Sequence, residues 1–299
     1  MNYIIVGSNG RRSMEEIIKT LDRSLLLIKK NDGGWVSVSN SGRRTPLKTL
    51  PVFTASDVII KWGNSIEIKP NGAVVYNNPG AVSKASNKGL FRTIMHQKGI
   101  DIPTIITKKD LPIGERVVLR PLHHRAGQNF HLVTSLGDLA RCEAKYGRDG
   151  YYMSKIYPKQ REVRVHCCLG KVLLIKEKPA PADKKEVAWN FAINEQAWST
   201  IDRKDYDPAL CKIALDAMEA IGLDIGAVDV MFDPMDKKLP RYVICEINTA
   251  PSLTEYLVEK YQSLFMLLFA KKERIEKWDY SKFTKGESFS WKNQQMLKL

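Results

Sequence analysis

Two apolar segments in the last third of the chain each carry a carboxylate at a position that a sheet would bury. Residues 225–232 read IGAVDVMF with Asp229 in the middle, and residues 241–248 read RYVICEIN with Glu246 and Asn248 two positions apart. Because side chains alternate along a strand, Glu246 and Asn248 share one face, and Asp229 can face them across a hairpin. Burying such groups costs free energy unless a cation or hydrogen bonds satisfy them. The two segments therefore predict a strand pair with a polar site on one face.

The chemistry of these three side chains favours a hard metal ion. Carboxylate and amide oxygens suit Mg²⁺, which binds a few carboxylates and completes its octahedron with water and substrate phosphates. The alternative is a water-exposed sheet face that needs no ligand. The apolar character of the flanking residues favours the metal site, since acidic side chains are seldom buried without a partner.

Helical periodicity and glycine stops predict the neighbouring elements. Residues 208–221 carry apolar side chains on one helical face and end before Gly222, so we expect a helix that packs against a sheet. A second helix is predicted over residues 83–99. Near the start of the chain, residues 3–6 and 58–62 are short apolar runs that predict strands.

A cationic hairpin is predicted in the middle of the chain. Residues 116–120 (RVVLR) and 130–133 predict two strands, and the polar segment 123–129 (HHRAGQN) predicts the loop between them. Arg120 and Arg125 add charged donors, so the hairpin could fold over an anion. An ordinary exposed hairpin is the alternative.

The distribution of charge supports an anionic ligand. The chain of 299 residues has 43% hydrophobic residues, which is enough for substantial cores, and a net charge of +14, which favours acidic partners. Residues 83–175 carry 17 basic and 7 acidic side chains, whereas residues 176–270 carry 11 basic and 16 acidic ones. A polyphosphate and its metal ions between two lobes would suit this arrangement; a chance distribution of surface charge is the alternative.

Cysteine usage and hydropathy indicate the compartment. The five cysteines form no C-x-x-C pair and no zinc-finger spacing, so we expect reduced, buried thiols. The first ten residues lack the pattern of a signal peptide, and the longest apolar run, residues 264–270, is too short to cross a bilayer. We expect a cytoplasmic protein with no membrane partner.

Several motifs resemble the ATP-grasp ligases. Residues 226–230 (GAVDV) and 245–254 (CEINTAPSLT) are similar to the metal-binding strands of that family, and this pair is the specific part of the likeness. Weaker similarities lie at residues 86–103, at the VVLRP segment 117–121 and at the EVRVH segment 162–166. The EVRVH segment resembles the Glu-x-Arg strand of the branch that contains ribosomal-protein glutamate ligase. The resemblance covers about residues 83–261.

The resemblance implies the fold and its organisation. The expected class is α/β (α+β), an ATP-grasp fold of three lobes with the nucleotide held between two of them. The implied partition is an N-terminal α/β domain at 1–82, a central lobe with a flexible phosphate loop at 83–155, and a C-terminal lobe with the metal-binding strands and a basic, aromatic tail at 156–299.

The resemblance also implies the metal and phosphate ligands. Asp229, Glu246 and Asn248 are expected to hold two Mg²⁺ ions, with Mn²⁺ an alternative, on the ATP β- and γ-phosphates. Arg92 and Arg120 stand where the family usually has lysines that touch the phosphates. Arginine keeps the charge but is a broader fork, so the phosphate geometry is expected to differ.

The remaining site residues are implied in the same way. Glu162 is expected to accept hydrogen bonds from the ribose hydroxyls. Arg164, with Lys176 or Lys178 on the following strand, is expected to reach the transferred phosphoryl group or an acyl phosphate. The hinge beside adenine is implied at Lys155, Ile156 and Tyr157.

The implied activity is ATP-dependent carboxylate–amine ligation through an acyl phosphate. It would join an amino acid or acyl group to an amine of a peptide, protein or small molecule, with an acidic protein or peptide as one candidate partner. The alternative is a basic nucleic-acid-binding protein with a degenerate nucleotide site, in which aromatic and basic residues of segment 271–299 stack on bases. A ligase acting on a nucleic-acid-associated acceptor combines the two.

Overall fold

The computed structural model describes residues 2–8, 12–30, 32–112, 114–122, 129–178, 180, 187, 198–233, 238–253 and 255–268. The chain divides into two compact units. The first is built from the residues up to 82 together with those from 249 onward, and the second from residues 83–248. The predicted partition into lobes at 82 and 155 stays a prediction.

Helices of both units are described. In chain order they are α1 (Arg12–Lys19), α2 (Pro79–Ser86), α3 (Lys88–Gln97), α4 (Leu136–Tyr146), α5 (Pro208–Ile221) and α6 (Glu255–Leu268). Within the described part of the chain, no helix combines the length and apolar character that crossing a bilayer requires. The cytoplasmic location stays a prediction.

A six-stranded sheet forms the first unit, in the order β4-β3-β2-β1-β5-β6. Its strands are β1 (Tyr3–Ser8), β2 (Ser24–Lys29), β3 (Trp35–Ser39), β4 (Arg44–Leu47), β5 (Val58–Trp62) and β6 (Val74–Tyr76). The strands predicted near the start of the chain are confirmed as β1 and β5, and they pair in parallel. Helix α6 belongs to this unit because Tyr261 and Phe265 pack edge-on against Trp62, with ring centroids 5.4 and 5.7 Å away.

Two antiparallel sheets form the second unit. The first has the order β7-β10-β8-β9, with β7 (Ile105–Ile106), β8 (Val117–Pro121), β9 (His131–Val133) and β10 (Tyr151–Lys155). The second has the order β13-β12-β11-β14-β15, with β11 (Arg161–Cys168), β12 (Lys171–Lys178), β13 (Ser199–Thr200), β14 (Ile225–Phe232) and β15 (Tyr242–Asn248). The predicted central hairpin is confirmed as β8 and β9; most of its loop, residues 123–128, lies outside the described residues.

Helix α5 covers one face of the five-stranded sheet, as predicted. Its apolar stripe is buried and consists of Leu210, Ala214, Ala217, Met218 and Ile221. The Asp207 side chain accepts from the Ala209 N–H at the start, and Gly222 adopts φ 81° at the end, a conformation that glycine takes without strain. The opposite face of this sheet is thereby left for polar side chains.

The continuous helix predicted over residues 83–99 is wrong, because Asn87 interrupts it. Asn87 is extended, with φ −80° and ψ 103°, and its side-chain oxygen accepts from the N–H groups of Gly89 and Leu90, each at 3.1 Å. This N-cap ends α2 and starts α3. The predicted stop is confirmed, since Gly99 has φ 66° and its N–H donates to the His96 carbonyl.

The cysteines behave as reduced hydrophobic residues. All five are free, and Cys142, Cys167 and Cys168 are buried. Burial raises the pKa of the Cys167 and Cys168 thiols, so both stay protonated at neutral pH.

We predict that Asn87→Ala lowers the free energy of unfolding by about 1 kcal/mol, because two N–H groups of α3 lose their acceptor. Asn87→Ser keeps an acceptor at the same place and should lose much less. Denaturant midpoints of the two variants and the wild type, followed by circular dichroism, measure the difference. Equal midpoints for the alanine and serine variants would contradict the capping role.

Candidate active site

The face of the five-stranded sheet that α5 leaves uncovered, the open face, carries a row of charged side chains in direct register. Lys176 pairs with Arg164, Arg164 with Asp229, and Asp229 with Glu246 across four adjacent strands, β12, β11, β14 and β15. Residues opposite each other in a sheet have neighbouring side chains on the same face. Two cations and two anions therefore line up across this cross-strand row.

A β-bulge is what brings the two carboxylates together. The pairing of β14 with β15 shifts between Asp229 and Val230, so that Asp229 opposes Glu246 while Val230 opposes Ile244, and Cys245 is the extra residue. If the register at the Phe232–Tyr242 end of the pair continued past Val230, Asp229 would oppose Cys245, and Glu246 would point to the other face of the sheet. The bulge thus places both acids on the open face.

The three predicted metal ligands are in contact, and cations hold them. Arg164 donates from Nε and Nη2 to the two oxygens of Asp229 at 2.6 and 2.7 Å. Lys88, in the first turn of α3, places its Nζ 2.9 Å from Glu246 Oε2. Asn248 Nδ2 donates to Asp229 Oδ2 and to Glu246 Oε1, each at 3.2 Å. Cationic side chains of the protein itself therefore neutralise the two carboxylates.

The ionisation of these groups follows from burial and from the neighbouring charges. Burial raises the pKa of Asp229, the Arg164 guanidinium opposes that rise, and the charge of Glu246 adds to it. Burial also favours the neutral form of Glu246, but Lys88, Arg120 and Arg164 outweigh it and lower its pKa below the usual range. Two neighbouring acids thus create a strong demand for positive charge.

Two arginines bring donors to the site from α3 and from β8. Arg92 is buried, with its guanidinium carbon 4.1 Å from the Tyr152 ring centroid, and it donates to the Tyr152 hydroxyl and to the Cys245 carbonyl at 3.2 and 3.4 Å. The Nε atoms of Arg92 and Arg120 are buried and have no hydrogen-bond acceptor among the described residues. Since an unsatisfied buried donor is costly, both atoms fit an incoming ligand rich in oxygen.

The predicted adenine hinge follows strand β10. Lys155 is exposed, Ile156 is half-buried and Tyr157 is buried. The Tyr157 hydroxyl donates to the carbonyls of Pro240 and Arg241 at 2.6 and 3.1 Å, which fixes the ring. Its apolar neighbours are Met231, Val243 and Cys245. Tyr157 thus contributes a fixed aromatic ring to an apolar cluster.

Glu162 lies on the same sheet face and is closely paired. It accepts from Lys159 Nζ at 2.5 Å and from Lys178 Nζ at 2.8 Å. Both of its oxygens are thus engaged in ion pairs, and Lys178 is held over the open face. Lys176 is also buried, and burial together with the charge of Arg164 lowers its pKa.

The donor set fits Mg²⁺. The described residues contain no cluster of three His, Cys, Asp or Glu side chains, so a metal here depends on two carboxylates and one amide. Mg²⁺ uses such small oxygen sets when substrate phosphates supply further ligands, and the Arg92 and Arg120 donors suit those phosphates.

Two residues at the site were not predicted from the sequence as site residues. Lys88 falls within a motif of the family resemblance, but its contact with Glu246 depends on the Asn87 cap. Trp198 lies over Arg164 without any local sequence signal. Residues 123–128 of the predicted hairpin loop, which the sequence suggests could fold over an anion, lie outside the described residues.

Comparison with known proteins identifies the fold. No protein-family model and no curated protein sequence matches the chain. It is similar to the structure of the D-alanine-D-alanine ligase from Coxiella burnetii, with a TM-score of 0.62 and 15% identity over 99% of this chain and 98% of that one.

Two further structures agree. The macrocyclase MdnC of Microcystis aeruginosa MRC, bound with its precursor peptide MdnA, gives a TM-score of 0.58 and 14% identity over 91% of this chain and 100% of that one. A RimK domain protein ATP-grasp from Sphaerobacter thermophilus gives a TM-score of 0.59 and 13% identity over 90% of this chain and 98% of that one. The chain has the ATP-grasp fold, which confirms the expected fold class; the assignment to the glutamate-ligase branch stays a prediction.

We predict that Arg164→Met destabilises the protein by about 3 kcal/mol in EDTA, because Asp229 is left buried without its counter-ion. Excess Mg²⁺ should then raise the melting temperature more in this variant than in the wild type, since the ion meets no competing guanidinium. Thermal unfolding with and without Mg²⁺ measures both effects. The double variant Arg164→Met, Asp229→Asn is the control and should lose the extra Mg²⁺ response. An equal Mg²⁺ shift in all three proteins would contradict the fit of this site to the ion.

Proposed function

We propose that the protein is an ATP-dependent carboxylate–amine ligase that acts through an acyl phosphate. The observation that carries this proposal is the pair of neighbouring carboxylates, Asp229 and Glu246, which share the Asn248 donor and are enclosed by cations and by two buried arginine donors that lack acceptors among the described residues. Such a site matches a nucleotide polyphosphate with its metal ion. The similarity in fold to ligases supports the same reaction class.

The proposed reaction has two steps. A carboxylate oxygen of the substrate attacks the γ-phosphorus of ATP, which breaks the bond to the bridging oxygen and releases ADP. The amine then attacks the carbonyl carbon of the acyl phosphate, loses a proton, and expels phosphate as the C–N bond forms. Negative charge builds on oxygen atoms in both steps, and fixed donors stabilise it without reorganisation.

The residues of this chain supply those donors. Arg164 and Lys176 in the cross-strand row would face the transferred phosphoryl group, and Arg92 and Arg120 the other phosphates. Lys178, held by Glu162, adds positive charge on the same face.

A metal would complete the site. Asp229, Glu246 and Asn248 would hold Mg²⁺, which when bound neutralises phosphate charge. We propose two such ions, with Mn²⁺ an alternative.

Adenine binding is proposed at the hinge. Lys155, Ile156 and Tyr157 would lie beside the base, where the buried Tyr157 ring and its apolar neighbours favour a flat, uncharged group. Glu162 would lie near the ribose, and a ribose hydroxyl would then compete with the two lysines that Glu162 now binds.

The mechanism needs no covalent enzyme nucleophile. Cys245 lies at the bulge beside the site, but burial and the charges of Glu162 and Glu246 raise the pKa of its thiol. A protonated thiol is a poor nucleophile. The fixed cations are therefore the groups on which we expect turnover to depend.

The substrates are proposed by class. MdnC is bound with a precursor peptide, and the net charge of +14 favours an acidic partner. We therefore propose a peptide or protein as one of the two substrates, and we propose that the chain belongs to the glutamate-ligase branch. The nucleic-acid alternative relies on segment 271–299, which lies outside the described residues.

We predict that Asp229→Asn and Glu246→Gln each slow turnover on the order of a hundredfold or more, because phosphate charge loses a fixed counter-charge in the transition state. ADP release at saturating ATP measures the rate. Asp216→Asn is the matched control, since it makes the same change at a half-exposed pair with Lys212 on α5. ATP consumption by the Glu246 variant at a near-normal rate would remove Glu246 from the proposed site.

We expect ADP release only when the correct carboxylate is present. A panel of amino acids, acidic peptides and polyamines, with mass spectrometry of the products, tests this expectation and identifies the product. A nucleic-acid-binding protein would behave differently: it would release no ADP, and its affinity for nucleic acid would fall steeply with salt.

A further inference from the structure

Trp198 lies on the charged face of the five-stranded sheet, next to residues that the proposed function uses. Strand β13 pairs with β12 through Ser199 opposite Glu177 and Thr200 opposite Lys176. One step further along this ladder, Trp198 reaches the level of Lys178. Its ring centroid lies 4.7 Å from the guanidinium carbon of Arg164 and 5.6 Å from Lys178 Nζ. A half-buried aromatic ring thus contacts two cations of the site at once.

The ring and the carboxylates hold these cations from different directions. Asp229 accepts from Nε and Nη2 along one edge of the Arg164 guanidinium, whereas the guanidinium carbon lies over the face of the Trp198 ring. Lys178 has a similar pair of neighbours, with Glu162 Oε1 at 2.8 Å and the same ring. The face of an indole attracts cations but accepts no conventional hydrogen bond. Trp198 can therefore restrain both cations without occupying their N–H donors.

This difference matters when an anionic ligand arrives. The bidentate bond to Asp229 uses two of the five N–H groups of Arg164, so the guanidinium can keep this bond and still turn other donors toward a phosphoryl group. A free arginine side chain has many rotamers, and a donor that moves stabilises a transition state poorly. The contact with the Trp198 ring would restrict the movement of the guanidinium while such a ligand binds.

We propose that Trp198 is a positioning residue that orients Arg164 and Lys178 toward the transferred phosphoryl group. This inference rests on the proposed ligase function, because it assigns Arg164 and Lys178 to that group. The contact between Trp198 and the two cations itself does not depend on any activity.

Two substitutions distinguish an effect of the aromatic face of Trp198 from an effect of its apolar volume. Trp198→Phe keeps an aromatic face, and Trp198→Leu keeps apolar volume without one. Trp35→Phe is the matched control, because Trp35 has Lys29 Nζ 5.0 Å from its ring and lies on β3, a strand of the first unit. Each variant is made in the full chain, and Trp198→Leu is also combined with Arg164→Lys.

The first measurement needs no turnover. The Nε–H resonance of Arg164, assigned by its disappearance in Arg164→Lys, should be displaced by the ring current of Trp198. We expect the displacement to vanish in Trp198→Leu, to persist in part in Trp198→Phe and to be unchanged in Trp35→Phe. An Arg164 resonance that is the same in the wild type and in Trp198→Leu would overturn the contact and the proposal with it.

The second measurement compares two nucleotide complexes. In Trp198→Leu we expect the affinity for ADP with aluminium fluoride and Mg²⁺, a mimic of the transferred phosphoryl group, to fall about tenfold. The affinity for a non-hydrolysable ATP analogue should fall less than about threefold, and Trp198→Phe should recover most of the loss. Equal losses for the two ligands, or the same loss in the Arg164→Lys background, would indicate a general structural effect and overturn the proposal.

Turnover provides the third measurement and distinguishes the two hypotheses. For an active ligase, kcat of Trp198→Leu should fall about tenfold while KM for ATP changes little. A wild-type protein that releases no ADP with any carboxylate overturns the proposed function. The positioning role is then judged by the resonance and by the two affinities, which support it or overturn it as stated above.

Discussion

Two carboxylates lie side by side on the open face of the five-stranded sheet, largely removed from water, and this is the constraint from which the rest of the second unit follows. Two neighbouring acids repel each other and lose hydration, so the face is stable only with positive charge within contact distance. Arg164 and Lys88 supply that charge at 2.6 and 2.9 Å. Because both cations are tied to the acids, the site is already assembled and charged before a metal or a phosphate arrives. The same neutralisation that stabilises the fold arranges the groups that the proposed reaction needs.

Local sequence patterns predicted the elements of this face well. Strand β14 and helix α5 have the predicted bounds, because an eight-residue apolar run and a helical stripe ending at Gly222 leave little choice. The pairing of Asp229 with Glu246 was also anticipated, but alternation alone does not produce it. A bulge at Cys245 reverses the face on which Glu246 lies, and a bulge depends on the partner strand and on tertiary contacts. The sequence thus predicted which acids meet and not the backbone irregularity that lets them meet.

Local sequence patterns did not predict the contacts between distant segments. Lys88 reaches Glu246 because Asn87 caps α3 and turns the chain there, whereas the periodicity of the region favoured one continuous helix. Trp198 reaches Arg164 through the pairing of a two-residue strand, which is too short for any alternation to indicate. Helix α6 joins the first unit through aromatic contacts to Trp62, almost two hundred residues earlier in the chain. Each of these depends on packing that only the folded chain specifies.

The bulge also connects the carboxylates to the proposed phosphate donors. Arg92 donates to the carbonyl of Cys245, the extra residue, and its guanidinium lies over the Tyr152 ring. The two hydrogen bonds come from its Nη atoms, and its buried Nε has no acceptor among the described residues, so this donor is available to a ligand. A lysine at this position would be a single mobile charge with no such division of donors. Arginine at position 92 therefore suits this site because one rigid group can bind the bulge, lie over a tyrosine ring and still present a donor. In the proposed complex this would couple the position of the phosphates to the irregularity that aligns the acids.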